Sequence, residues 1–309
     1  MRFLRVSLAL LLTGLSAFSL FSCGKQEEAG ALRVGVMYSS DVIPLAVMKN
    51  QKLDEKHGVN LEMQIFSSAK DRDAALQAGE LDGVFTDFVG ICIYQNAGLD
   101  VKITGMTDGD YLLLAGPGTG ITSLAGAAGG RIAISENTLI EYALDTILTQ
   151  EGYTPDYLRK ELVPRIPDRL EMLRAGGVEL CLLPEPFATI AKRDGAALLG
   201  SANAAGLYPA VSAFTRDAIR EKADLIKKLY SAYDEAVDYI NETPVSEFES
   251  VVIESAGFPE ELAGGIELPV FRKNAPPSER DLAAAIAWAS RKGLCDATLT
   301  PKSLLGRLS

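Results

Sequence analysis

The sequence predicts an α/β protein of two similar lobes, each a mostly parallel sheet with helices on both faces. Two observations carry this. From Leu32 onward, short apolar runs alternate with segments of helical spacing, the pattern that builds parallel sheets. The chain also echoes itself: Arg72, Leu76, Ala78, Gly79 and Asp82 return as Arg169, Leu173, Ala175, Gly176 and Glu179, each displaced by 97 residues. Both copies read as a helix stopped by glycine and followed by a strand. Each strand then runs into an acid, Asp87 in the first copy and Glu185 in the second.

The chain opens with Arg2 and Arg5, a nearly unbroken apolar stretch from Val6 to Leu20, and small Ser22 before Cys23. That is the build of a secretory signal over residues 1–22, too short for a comfortable membrane span. The junction resembles the lipobox of bacterial lipoproteins, which implies a lipidated Cys23 and membrane attachment through that lipid. Polar residues 24–30 then read as a tether.

Leu32 to Met37 is an apolar strand, and Asn60 to Phe66 alternates Leu61, Met63 and Ile65 with Glu62 and Gln64. Between them Val42 to His57 has helical spacing and stops before Gly58. Gly116 to Gly120 lacks the lysine of a phosphate loop and reads as a crossover between lobes. Arg131 to Ile134 and Val178 to Leu183 are strands, and Leu139 to Gln150 is a helix closed by Gly152. A second crossover is expected near Leu207 to Ala213. The remainder is helical, at Asp217 to Asn241, Val245 to Ala256 and Glu279 to Lys292, and is expected to cover a sheet already built. The lobes are therefore expected at 31–112 with 213–309, and at 113–212.

Removal of residues 1–22 takes away two arginines and no acid, moving the formal net charge from -11 to -13. An acidic surface disfavours nucleic acid as a partner. Cys92 and Cys181 sit among apolar neighbours, and with Cys295 they are expected as buried free thiols. The single histidine, His57, stands at a helix end, and no cysteine pair has zinc spacing. Asp108-Gly109-Asp110 lacks the other ligands of a calcium loop and reads as a turn. No catalytic residue, metal or cofactor is assigned.

Ser67 to Gly83, followed by Thr86-Asp87 and then Ala97 to Lys102, resembles the first lobe of a solute-binding protein. The likeness is to the branch associated with nitrate, sulfonate, taurine and thiamine-pyrimidine uptake by ABC importers. Gly130 to Tyr142 and Leu182-Leu183-Pro184-Glu185-Pro186-Phe187 are similar to its second lobe. The resemblance implies a type II periplasmic-binding-protein fold, two Rossmann-like lobes joined by two hinge crossovers, with an ABC permease as partner. It places the ligand at strand-to-helix turns: Ser39, Ser40, Asp41, Ser67, Ser68, Thr86 and Asp87 from one lobe. The other lobe would supply Ser135, Glu136, Asn137, Thr138 and Glu185, and Tyr208 would come from the second crossover.

These turns carry acids but no arginine or lysine, and aromatics stand close by, so a neutral or cationic heteroaromatic solute is favoured over a nitrate- or sulfonate-type oxyanion. Asp87 and Glu185 are expected to meet it from opposite sides. A thiamine-pyrimidine synthase-like enzyme and a ligand-sensing lipoprotein share the same implied fold and stay open.

Overall fold

The computed structural model describes residues 30–308. The expected signal segment, Cys23 and the expected tether through residue 29 lie outside the described residues.

The first part of the chain runs β1 (Gly30–Met37), α1 (Ile43–Asn50), α2 (Leu53–Lys56), β2 (Val59–Phe66), α3 (Ala69–Gln77), β3 (Gly83–Asp87), α4 (Phe88–Asn96) and β4 (Val101–Met106). The second runs β5 (Tyr111–Ala115), β6 (Arg131–Ile134), α5 (Leu139–Gln150), β7 (Arg159–Leu162), α6 (Ile166–Arg174), β8 (Leu180–Pro184), α7 (Phe187–Arg193) and β9 (Ala197–Ser201). The chain then returns through β10 (Ala210–Thr215) into α8 (Arg216–Glu221), α9 (Ala223–Glu242), α10 (Glu249–Ala256), α11 (Glu279–Arg291) and α12 (Pro301–Leu304).

Two five-stranded sheets form, in the orders β2-β1-β3-β10-β4 and β7-β6-β8-β5-β9. Position within each sheet follows from sequence. β3 and β8 are wholly buried and sit centrally, whereas β2 exposes Asn60 and Glu62 and β7 is largely exposed, both at edges. The repeat is a structural one. Asp82 accepts from the Arg33 main chain and guanidinium at the head of β3, and Glu179 does the same for Arg131 ahead of β8.

The sheets depart from a purely parallel order at one strand each. β10 runs against β3 and β4, and β5 runs against β8 and β9. Connectivity explains this: β4 ends at the edge facing the other sheet, so β5 starts at that edge and must run away from it. β9 to β10 repeats the manoeuvre. The chain therefore crosses at residues 107–110 and 202–209, slightly before the expected boundaries, which fall inside β5 and β10. Gly116 to Gly120 follows β5 on the second sheet and is no crossover.

Two helices expected as continuous are broken. Val42 to His57 splits where Lys52 adopts φ 55, and Asp217 to Asn241 splits at Lys222, whose ammonium reaches Asp82 at 2.9 Å. α9 buries Ile226, Leu229, Tyr233, Val237 and Ile240, the face its spacing predicts, in the core with β1 and β2. α11 does more than cover one sheet. It packs on α4, and Trp288 Nε1 donates across to Asp145 of α5 at 2.9 Å. Cys92, Cys181 and Cys295 are buried free thiols. No helix among the described residues is long and apolar enough to cross a membrane.

Candidate functional site

The carboxyl ends of β1 and β3 face those of β6 and β8 across a cleft, and the first residues of α3, α5 and α6, with the Asp87 cap of α4, lie on its lining. This is where open α/β sheets bind ligands. The cleft encloses about 610 Å³ of atom-free space, part of it open to solvent. Six of the sequence-predicted residues line it: Ser39, Asp41, Thr86 and Asp87 from the first lobe, Ser135 and Thr138 from the second. Its walls are largely apolar, with Tyr38, Phe85 and Tyr111 supplying aromatic surface.

Several of these groups are already engaged. Asp87 closes β3 and caps α4, accepting from Gly90 N at 2.9 Å. Gly90 is required there, since a Cβ would stand 2.5 Å from Thr86 Oγ1. Burial pushes the Asp87 carboxyl up to about 6, against the opposing pull of the Gly90 hydrogen bond and the Arg72 charge. Asp41 is also raised by burial, and it accepts from Thr107 Oγ1 at 3.1 Å. Thr138 caps α5 and donates to the Ser135 carbonyl at 2.7 Å.

The other predicted residues fall outside the cleft proper. Ser68, Glu136 and Asn137 line an adjoining recess that shares Arg72, Asp87, Ser135 and Thr138 with it. Ser68 caps α3, and Asn137, at φ 57, donates its main-chain N–H to Glu141. Ser67 contributes only its carbonyl, which accepts from Ile166 N of the opposite lobe at 3.4 Å.

Ser40, Glu185 and Tyr208 line a separate recess with Asp108 and Arg272. Asp87 and Glu185 are therefore not brought together. The residue 97 positions after Asp87 is Pro184, and it is Pro184 that β8 delivers to the cleft; Glu185 turns past it to accept from Thr189 N at 2.9 Å. Tyr208 packs under Arg272, 4.8 Å from ring centroid to guanidinium carbon. His57 pairs with Glu235 at 2.9 Å and lines no part of the cleft. Among the described residues, no group of three or more His, Cys, Asp or Glu is placed to hold a metal.

Sequence reasoning passed over two cleft residues, Arg72 and Arg169. Both were visible as markers of the repeat. They enter from the first turns of α3 and α6 and not from the strand-to-helix turns expected to hold the ligand, which carry no cation.

A model of the NMT1-like family matches residues 25–111. A candidate ABC transporter periplasmic binding protein of Brachyspira hyodysenteriae is 25% identical over 249 residues, covering 74% of this chain and 71% of its own. Among solved structures, the alkanesulfonate-binding protein of Xanthomonas axonopodis pv. citri bound to MOPS superposes with a TM-score of 0.77 at 17% identity, covering 91% of this chain and 99% of its own. The periplasmic nitrate-binding protein of Synechocystis PCC 6803 gives 0.73 at 13%, covering 91% and 87%. Two sheets of matching strand order around a lined cleft, with these likenesses, give the chain the periplasmic-binding-protein fold, and its residues 25–111 are similar to the NMT1-like family.

Proposed function

We propose that the chain is an extracytoplasmic solute-binding lipoprotein that captures a small molecule between its lobes and delivers it to an ABC permease. The observation that carries this is a cleft lined from both lobes, with each lobe contributing strand ends, the first residues of helices and buried polar side chains. The two crossings at 107–110 and 202–209 are the hinges about which the lobes close. Tyr38, Phe85 and Tyr111 support a solute with a flat or aromatic body. Arg72 and Arg169 support the second reading, a solute bearing an oxyanion. The relatives with solved structures are named for sulfonate and nitrate, which agrees with that second reading.

A thermal-shift screen of vitamins, pyrimidines, amines and sulfonates on the mature protein, followed by small-angle scattering with each hit, tests capture. A hit is expected to shrink the radius of gyration. Hits that leave it unchanged would count against closure about the hinges.

Attachment through Cys23 follows from the charged start, apolar stretch and Ser22-Cys23 junction. Cells expressing the parent are expected to incorporate radioactive fatty acid into the protein, and cells expressing Cys23→Ala are expected not to. Equal label on both would remove the lipid from this reading.

A further inference from the structure

The repeat places one arginine in each lobe, and only one of the two is supplied with counter-charge. Arg72 of α3 and Arg169 of α6 stand 97 positions apart, are 3% and 1% exposed, and both line the cleft. Each donates Nη1 to the carbonyl at the same repeat position, Phe85 at 2.7 Å and Leu182 at 3.2 Å. Beyond that shared bond the surroundings diverge. Arg72 also reaches Asp73 at 2.8 Å, Thr86 Oγ1 at 3.1 Å and the Tyr94 hydroxyl at 3.2 Å. The residues 97 positions after Asp73, Thr86 and Tyr94 are Leu170, Leu183 and Ala191.

The second lobe thus keeps the arginine and has apolar residues where its partners would be. Arg169 Nε is buried with no hydrogen-bond partner, and no carboxylate among the described residues pairs with the guanidinium. Burial without a counter-charge pushes its pKa down, whereas negative neighbours drive that of Arg72 up despite burial. A guanidinium cannot shed its proton to relieve burial, so a charge left in this state costs stability unless something enters to match it.

We infer that Arg169 anchors an acidic group of the captured solute, a carboxylate, sulfonate or phosphate monoester on a small molecule with a flat or apolar body. The inference rests on the solute-capture reading. Tyr111, Leu139, Ile140, Pro164, Ile166 and Pro184 line the cleft with Arg169 and provide the apolar walls. Asp41 and Asp87, from the first lobe, are left to accept hydrogen bonds from the solute's other end. An acid on one end and donors on the other reconcile the guanidinium with the carboxylates. A purely neutral or cationic solute would leave Arg169 unmatched.

The test compares parent, Arg169→Met and Arg169→Lys using matched probes at constant ionic strength: nicotinate against nicotinamide, benzenesulfonate against benzenesulfonamide, phenyl phosphate against phenol, and benzylamine as a cation. In the parent, at least one acid is expected to raise the melting temperature and its neutral twin is not. Calorimetry is expected to show that acid binding at least tenfold more weakly to Arg169→Met, with Arg169→Lys between. Without any probe, Arg169→Met is expected to melt at or above the parent, because it removes an unmatched buried charge. A structural arginine predicts the reverse.

An Arg169→Met protein that melts well below the parent, or that fails to fold, overturns the inference whatever the probes do. So does an acid that binds parent and Arg169→Met equally, or a neutral or cationic probe that compacts the parent while every acid is ignored. That last result would leave solute capture standing. Absence of compaction with every probe class would weigh against capture itself, and the unliganded melting comparison would still decide the role of Arg169.

Discussion

Arg72→Met is expected to lower the unfolding free energy by about 3 kcal/mol, the low end of what removing one partner from a buried ion pair costs. The low end applies because the Asp73 side chain keeps 31% of its surface in water and recovers some hydration when its partner goes. The rest of the loss comes from the Phe85 carbonyl, Thr86 and Tyr94, which lose a buried donor, and from Asp87 and Asp41, whose carboxylates Arg72 favours. Urea denaturation of the unliganded protein measures it. Asp87→Asn in the same chain should return part of the loss, because one of the acids left without a cation is then neutral. Two arginines at one repeat position should therefore behave oppositely, Arg72→Met costing stability and Arg169→Met costing none. Equal losses at the two positions would mean that the counter-charges around Arg72 are not what distinguishes them.

Strands β1, β2, β3, β6 and β8 were legible because burial in a two-faced sheet leaves its mark on composition, whereas β4, β5, β7, β9 and β10 were not. The alternation at Asn60 to Phe66 marked a strand that the fold places at an edge, and the apolar runs at β3 and β8 marked strands that it places centrally. What the pattern could not convey was direction. A strand's apolar alternation is the same whichever way it runs, so the reversal of β5 and β10 follows only from where the chain crosses. Helix breaks were equally silent. Lys52 and Lys222 are ordinary helix residues in sequence, yet Lys52 takes a left-handed turn and Lys222 leaves helical geometry at φ -124, ψ 23, its ammonium paired with Asp82.

The cleft was legible to the extent that strand-to-helix turns mark it, which found Ser39, Asp41, Thr86, Asp87, Ser135 and Thr138. Such turns also need capping, and the same residue types serve both ends: Ser68, Asp87 and Thr138 all accept main-chain N–H bonds from their own helices. Glu185 was placed by a repeat read one residue out of register, and Pro184 occupies the position that corresponds to Asp87. Arg72 and Arg169 were missed because long side chains act at a distance from their own Cα atoms. Comparing the neighbours of the two arginines copy by copy, acid and hydroxyl against leucine and alanine, would have exposed the unmatched one.

The unliganded protein is expected to lose stability as the pH rises from about 4.5 to about 7, the reverse of what paired surface acids produce. Asp87 is the main cause. Its folded value of about 6 lies above the ordinary 3.8, so the native state holds a proton that the unfolded chain has released across that interval. The stability contributed is complete below the unfolded value and is lost as the pH passes the folded one, with an amplitude of about 3 kcal/mol. The groups facing Asp87 set this balance: Arg72 and Asp73 from α3, the Gly90 and Val89 N–H groups of α4, and Tyr111 from β5. Asp41 shifts in the same direction and adds to the slope. Glu179, held down to about 2 by Arg131, and Asp82, held down by Arg33 and Lys222, act the other way, but their contributions are lost only as the pH falls below the ordinary carboxylate range. Asp87→Asn keeps an oxygen to cap Gly90 N and removes the titration. Its unfolding free energy, measured by urea denaturation across the same pH series, is expected to be flatter than that of the parent and higher at pH about 7. A parent whose stability rises steadily from about pH 4.5 to about 7, with Asp87→Asn following the same curve, would show that the Asp87 carboxyl is ionised throughout and that the cleft is wetter than its burial implies.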